Sequence, residues 1–205
     1  MSAEGLVIRS RIAATGVGIP TRVLRNADLA RIVATSDEWI RERTGIEERR
    51  IVSEGVASSD LGTEAAQAAL ARAGWDPASL DLIVVATCTP DMPLPSTACL
   101  IQRNLKATRA FAFDLAAACS GFLYGLSVAD LYVRSGTCRR VLLIGTEVMS
   151  AMMDWTDRST CILFGDGAGA VLIEPSTDGS GILSTHLHSD GNLWDLVQPD
   201  AGAKT

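Results

Sequence analysis

The chain has 205 residues, 47% of them hydrophobic, which is enough apolar material to bury a core as one large domain or two small ones and excludes a disordered chain. Eighteen lysines and arginines stand against 24 aspartates and glutamates, for a formal net charge of −6. Basic side chains cluster no more densely than the pairs Arg49-Arg50 and Arg139-Arg140, so no nucleic-acid partner is expected.

In chain order, the first segment, Met1 to Arg9, carries charges at Glu4 and Arg9 and lacks the apolar region of a secretion signal. No later run of about 18 apolar residues is present to span a bilayer, so a cytoplasmic protein without a membrane partner is expected. Thr35 to Ile46 is polar with a tryptophan and an arginine four residues apart, Trp39 and Arg43, on one face if the segment is helical. Asp60 is placed to cap a helix over Leu61 to Ala73, stopped by Gly74, and Ser96 to cap another over Thr97 to Asn104. Between them, Asp81 to Thr87 is apolar throughout, as are Ala110 to Asp114, Val141 to Gly145 and Ala170 to Ile173 further on; all four read as strands buried on both faces. Pro90 to Pro95 is a stiff loop that projects Met92 and Leu94. From Ser120 the apolar positions Phe122, Leu126, Ala129 and Val133 share a helical stripe ended by Gly136. After Ile173 come a breaker-rich loop, Pro175 to Gly181, and one more strand-like run, Ile182 to His188. Alternating strands and helices predict an α/β fold with a mostly parallel sheet covered by helices.

Four constellations are candidates for chemistry. Cys119 follows the strand Ala110 to Asp114 and opens a helix, a corner that presents a sulfur rigidly beside unpaired backbone N–H groups and favours a thiolate. A buried small hydrophobe is the alternative reading of the same residue. The five cysteines lack CxxC spacing, and with two histidines they make no zinc site; most are expected to be buried free thiols. Trp39 with Arg43 suits a nucleotide's base and phosphates, or is simply one face of a capped surface helix. Asp154 to Ser159 leads into the glycine-rich Phe164 to Ala170, which precedes a strand and so lacks the context of a dinucleotide loop; closely packed backbone is the better reading. Met92 and Leu94 fit an interface or plain loop packing equally.

Taken together, Thr-Ser-Asp-Glu-Trp-Ile at 35 to 40, Arg-Thr-Gly-Ile at 43 to 46, Ala-Ala-Ala-Cys-Ser-Gly-Phe at 116 to 122, and Thr-Asp-Arg at 156 to 158 with Phe-Gly-Asp-Gly-Ala-Gly-Ala at 164 to 170 resemble the beta-ketoacyl-acyl carrier protein synthase III family. The resemblance runs from about residue 9 to the end. It implies a thiolase-like fold, layered αβαβα at full length and here mainly its N-terminal βαβαβ half over residues 1–175, with 176–205 a linker and the start of a second half whose remainder is absent. It implies an acyltransferase in which Cys119 takes an acyl group from acyl-coenzyme A and a decarboxylative condensation with malonyl-acyl carrier protein follows. Trp39 and Arg158 are implied to sandwich the adenine, with Thr35 and Arg43 near the coenzyme A phosphates. Phe164 is implied to shape the condensation site, and Leu94 to close the acyl pocket of the other subunit of a homodimer. No resident cofactor or metal is implied, acyl-coenzyme A being a substrate.

The family's catalytic histidine and asparagine have no counterpart here. His186 and His188 match a strand ahead of that histidine and receive no catalytic role. Acyl capture needs a thiolate and an oxyanion site, whereas the condensation also needs donors aimed at an enolate, so the chain reads as the N-terminal portion of a longer enzyme. A related condensing enzyme of polyketide, quinolone or olefin synthesis, and an inactive binding or assembly module, are the competing readings.

Overall fold

The computed structural model describes residues 9–194. The reading of Met1 to Ile8 as no secretion signal, and the part of the linker reading that falls on 195–205, lie outside the described residues.

The centre of the molecule is a five-stranded sheet. Its strands are β1 (Ser10–Gly18), β4 (Leu82–Ala86), β5 (Phe111–Leu115), β6 (Val141–Val148) and β7 (Asp166–Pro175), in the spatial order β1-β7-β6-β4-β5. β4 pairs in parallel with β5 and with β6, but β7 runs antiparallel to both β6 and β1. The expectation of a mostly parallel sheet is therefore corrected to a mixed one. A parallel return requires a long crossover, usually a helix, and the connection from β6 to β7 holds only a 3-10 turn at Met149–Ala151 and the four-residue helix α6 (Arg158–Cys161). The strand-like run Ile182 to His188 is not a strand: it meets β1 only where the Ile182 N–H donates to the Ser10 carbonyl at 2.9 Å, and one contact makes no ladder.

β4 is the middle of the hydrophobic core, and all five of its residues are buried. Its alternating side chains serve two cores. Ile83 and Val85, with Ile144 and Leu172, meet Ala65, Ala69, Leu70 and Ile101 of α3 (Ser58–Ala73) and α4 (Thr97–Leu105). Leu82 and Val84, with Leu143 and Ile173, meet Ala129 and Val133 of α5 (Gly121–Arg134). Each fully buried Leu, Ile or Val contributes about 1.5–3 kcal/mol. α5 approaches β4 closely because Gly121 lies where a Cβ would be 3.2 Å from that of Ala86. β5, at the sheet edge, departs from the expected burial on both faces: with a neighbouring strand on one side only, Phe111 remains 44% exposed.

Helix ends follow from side-chain chemistry. Ser96 accepts from the Cys99 N–H at 3.3 Å and starts α4 as expected. Asp60 is not the cap of α3, which begins at Ser58; it occupies the first turn and its carboxylate accepts the Ala57 N–H at 2.9 Å, closing that turn from within.

A smaller unit flanks the sheet. The antiparallel pair β2 (Arg22–Arg25) and β3 (Glu48–Ile51), with α1 (Asn26–Leu29) and α2 (Asp37–Thr44), encloses a third core of Leu24, Leu29, Ile40, Ile51, Cys161 and Ile162. Trp39 packs against that core, which ties the α2 segment to the α6 segment.

Candidate active site

The topology delivers chemistry to one edge of the sheet. The parallel strands β4, β5 and β6 end there and antiparallel β7 begins there, which gathers Cys88, Cys119, Glu147 and the segment after Phe164. Open α/β sheets present their ligand sites at the carboxyl ends of their strands.

Cys119 sits in a short 3-10 turn, Ala118–Ser120, between β5 and α5, so strand and helix are joined by one tight corner. The Ser120 N–H donates to the Ala117 carbonyl at 3.1 Å, and Ala118 has φ of 45°, a left-handed conformation uncommon for alanine. Cys119 is exposed there, as is Cys88; Cys99 is half-buried, and only Cys138 and Cys161 are buried. All five are free thiols, but the expectation that most are buried is corrected, because Cys88 and Cys119 lie on turns beyond the strand ends. Burial pushes the Cys138 and Cys161 thiols up in pKa.

The sequence reading missed Glu147. Its carboxylate accepts from the Cys88 N–H at 2.7 Å and the Thr89 hydroxyl at 2.6 Å, with the Thr87 hydroxyl at 3.5 Å. The signal that would have found it is a carboxylate at the end of an otherwise apolar strand, Val141-Leu142-Leu143-Ile144-Gly145-Thr146-Glu147.

A second cluster joins residues far apart in sequence. The Arg43 guanidinium lies 4.2 Å and that of Arg158 lies 4.5 Å from the Trp39 ring centroid. α2 carries Trp39 and Arg43 on one face, and its N-cap, Ser36, accepts from the Trp39 N–H at 3.1 Å. Arg158 opens α6, whose cap Asp157 accepts from the Ser159 N–H at 2.8 Å and from the Thr160 hydroxyl at 2.7 Å. These hydrogen bonds, led by that from Thr160, hold the Asp157 carboxyl below the usual range. Arg158 also donates to the Ala34 carbonyl at 3.3 Å, next to Thr35, whose buried hydroxyl has no hydrogen-bond partner among the described residues. A buried hydroxyl left unmatched is a group for a ligand or a water to satisfy.

Arg49, read in the sequence only as half of a basic pair, connects this cluster to the core. Buried, it donates to the Ile162 carbonyl from Nε and Nη2 at 3.1 and 2.6 Å and to the Asn26 side-chain oxygen at 2.8 Å. Its pKa is lowered by desolvation.

Leu94 is 84% exposed on the proline-rich loop, and Met92 beside it is also exposed. Phe164 is half-buried immediately before β7. Gly165 fits the reading of close-packed backbone, since a Cβ there would lie 3.1 Å from the Arg50 carbonyl oxygen; Gly169 has open space instead. His186 and His188 lie in an irregular segment that meets α5 where the Tyr124 hydroxyl donates to the His188 carbonyl at 3.4 Å, with His186 facing Ser184 at 3.1 Å. Among the described residues no group of three or more His, Cys, Asp or Glu is arranged to hold a metal, and no helix is long and apolar enough to cross a membrane.

A layered half with a cysteine at the strand-to-helix corner defines the class as the thiolase fold. The family described as 3-oxoacyl-[acyl-carrier-protein (ACP)] synthase III matches residues 113–191. The beta-ketoacyl-[acyl-carrier-protein] synthase III of Roseiflexus castenholzii is 54% identical over 191 residues, 93% of this chain and 58% of that protein. The crystal structure of 3-oxoacyl-[acyl-carrier-protein] synthase III from Aquifex aeolicus superposes with a TM-score of 0.91 at 52% identity, covering 94% of this chain and 62% of that one. The priming beta-ketosynthase of the R1128 polyketide pathway gives 0.80 at 40% identity, covering 85% and 53%. The chain is similar to these synthases along almost all of its own length and spans about three-fifths of the length of the curated relatives it matches.

Proposed function

We propose that this protein captures an acyl group from acyl-coenzyme A on Cys119, as the first half-reaction of a beta-ketoacyl-acyl carrier protein synthase III. The observation that carries the reading is Trp39 with two guanidiniums on its ring, brought together by segments more than a hundred residues apart in sequence. An aromatic face and two fixed cations suit an adenine with phosphates, Trp39 and Arg158 holding the base and Arg43 and Thr35 standing near the phosphates. In the transfer, the Cys119 thiolate attacks the thioester carbonyl, the tetrahedral oxyanion collapses, and coenzyme A leaves as its thiolate. The start of α5 favours negative charge beside Cys119.

The second half-reaction, decarboxylative condensation with malonyl-acyl carrier protein at a site shaped by Phe164, calls for a histidine and an asparagine that no residue of this sequence matches. Residues 1–175 are proposed as the half that carries the nucleophile and 176–205 as a linker into a second half. The free edge of β5 and the exposed Leu94 support a homodimer in which Leu94 closes the neighbouring acyl pocket. The absence of a resident cofactor and a cytoplasmic location belong to the same proposal. The similarity to a polyketide priming ketosynthase favours, as second reading, a different starter or extender.

Incubation with acetyl-coenzyme A followed by peptide mass spectrometry tests acyl capture. An acetyl group on the Cys119 peptide is expected, and one that persists in Cys119→Ala would sink the assignment.

A further inference from the structure

Two non-glycine residues of the described chain have positive φ, Lys106 at 58° and Ala118 at 45°. Lys106 is the left-handed end of α4, an ordinary helix termination. Ala118 ends no helix; it stands directly before Cys119. An alanine held there persists only where its surroundings over-determine it, and such strain concentrates at functional sites.

The turn after β4 supplies that hold. The Thr87 N–H donates to the Leu115 carbonyl at 3.3 Å, continuing the β4–β5 ladder past the strand end. Next along, the Cys88 N–H donates to Glu147 at 2.7 Å, and the Cys88 thiol lies within interaction range of both Glu147 and the Ala118 backbone. The turn is fixed in its own right: the Thr89 hydroxyl accepts the Val148 N–H at 2.8 Å and donates to Glu147 at 2.6 Å, and the Thr89 carbonyl accepts the Ser58 hydroxyl at 2.6 Å. Glu147 thus joins both Cys88 and Thr89 to β6, alongside the bond of the Thr89 hydroxyl to Val148.

We propose that Glu147 is a positioning residue for Cys119: by pinning Cys88 and Thr89 it holds Ala118 left-handed and so sets where the thiol stands at the head of α5. The proposal rests on the reading of Cys119 as acyl acceptor. Glu147 touches none of the reacting atoms; its effect passes through the turn at 87–89, whose Thr87 N–H holds the Leu115 carbonyl at the end of β5 and whose Cys88 lies against the Ala118 backbone.

The test measures the rate of Cys119 acetylation against acetyl-coenzyme A concentration, by peptide mass spectrometry on the full chain. Glu147→Ala is expected to lower the maximal rate about tenfold or more with the half-saturating concentration unchanged, since small misplacements of a reacting group cost that much. Cys88→Ala should do the same, whereas Cys88→Ser, which keeps a donor and an acceptor at that place, should restore most of the rate. The decisive comparison uses Ala118→Gly, because glycine takes positive φ without cost. In that background Glu147→Ala should lower the rate less than about threefold. Equal losses in both backgrounds, or a change confined to half-saturation, would overturn the proposal. Should Glu147→Ala not fold, the Cys88→Ala and Cys88→Ser pair decides the matter. A wild-type chain that iodoacetamide labels at Cys119 but acetyl-coenzyme A does not would sink the acyl-acceptor reading alone. Iodoacetamide labelling rates of Cys119 across the same variants would then test the positioning, with the same order of slowing expected and none overturning it.

Discussion

A thiol beside a carboxylate holds its proton, and Cys88 is placed that way. Partial burial of the sulfur, then the charge and hydrogen bond of Glu147, push its pKa above the ordinary thiol value of 9.0. The raised value keeps Cys88 protonated through neutral pH, so its reaction with iodoacetamide should lag behind that of an ordinary exposed thiol at pH 8 and catch up only well above pH 9. Peptide mapping of the alkylated protein checks this, and Glu147→Gln, which removes the charge, should speed the labelling of Cys88. At the second cluster, Trp39→Ala removes the ring on which both Arg43 and Arg158 rest. Cation–π contacts are worth about 0.5–2 kcal/mol each, so coenzyme A affinity should fall roughly tenfold or more in calorimetric titration; an unchanged affinity would remove the nucleotide role of the ring. The two clusters differed in how far the sequence disclosed them. Trp39 and Arg43 are four residues apart on one helix, a spacing readable without a structure, and Cys119 follows an apolar strand. Arg158 entered only through resemblance, because its stacking on Trp39 depends on the tertiary fold. Glu147 and Arg49 received no site role: Glu147 is marked in the sequence only as a carboxylate ending an apolar strand and Arg49 as half of a basic pair, and their partners, Cys88 and Thr89 in one case and Ile162 and Asn26 in the other, are brought to them by the tertiary fold.

At the scale of elements, β1 and α3 meet backbone to backbone. A Cβ on Gly16 would run into the Ala65 carbonyl and the Ala69 amide, and one on Gly18 into the Leu61 carbonyl, none of which is a flexible side chain that can swing away. Gly16→Ala or Gly18→Ala should therefore cost about 1–3 kcal/mol or more, read as a lower midpoint in denaturant unfolding. The close approach also explains why β1 escaped the sequence reading. Ser-Arg-Ile-Ala-Ala-Thr-Gly-Val-Gly contains two glycines and an arginine, and its burial comes from β7 and α3 rather than from an apolar run of its own. The strands that were found, β4 and β6 above all, are those whose residues are nearly all apolar because helices cover both faces. Helix α6 presents a pH dependence. Asp157, whose carboxyl is depressed by its hydrogen bonds to Thr160 and Ser159, remains ionised below the usual carboxylate value near 3.8, and its cap is lost only as pH falls through that depressed value. Arg158 placement, and with it coenzyme A affinity, should thus be flat between pH 7 and 5 in calorimetry; Asp157→Asn, which keeps an acceptor, should bind within about threefold of the parent chain, and Asp157→Ala more weakly.

For the molecule as a whole, the sheet has unequal edges. β1 is flanked along its start by the segment at Gly181 and Ile182, while β5 ends the sheet on the other side with no strand beyond it among the described residues. Phe111 on that strand and Leu123 and Leu131 on the adjoining α5 are exposed, so apolar side chains flank the edge of β5. The charge on β5, Asp114, is turned to the Thr97 and Ala98 N–H groups of α4, and an edge strand without a proline is a template for pairing with another strand. A second copy supplies one with the same pattern, and antiparallel pairing of β5 with its symmetry mate closes both edges at once in a two-fold arrangement. The chain is accordingly expected to sediment at twice the monomer mass at micromolar concentration. Phe111→Lys tests the edge with little damage elsewhere, because its ring touches Tyr132 at 5.6 Å between centroids and a lysine stem and ammonium can still rest on that aromatic. The substitution should shift sedimentation toward the monomer while leaving the circular dichroism of the fold intact. A dimer that Phe111→Lys does not weaken would place the self-association on another surface.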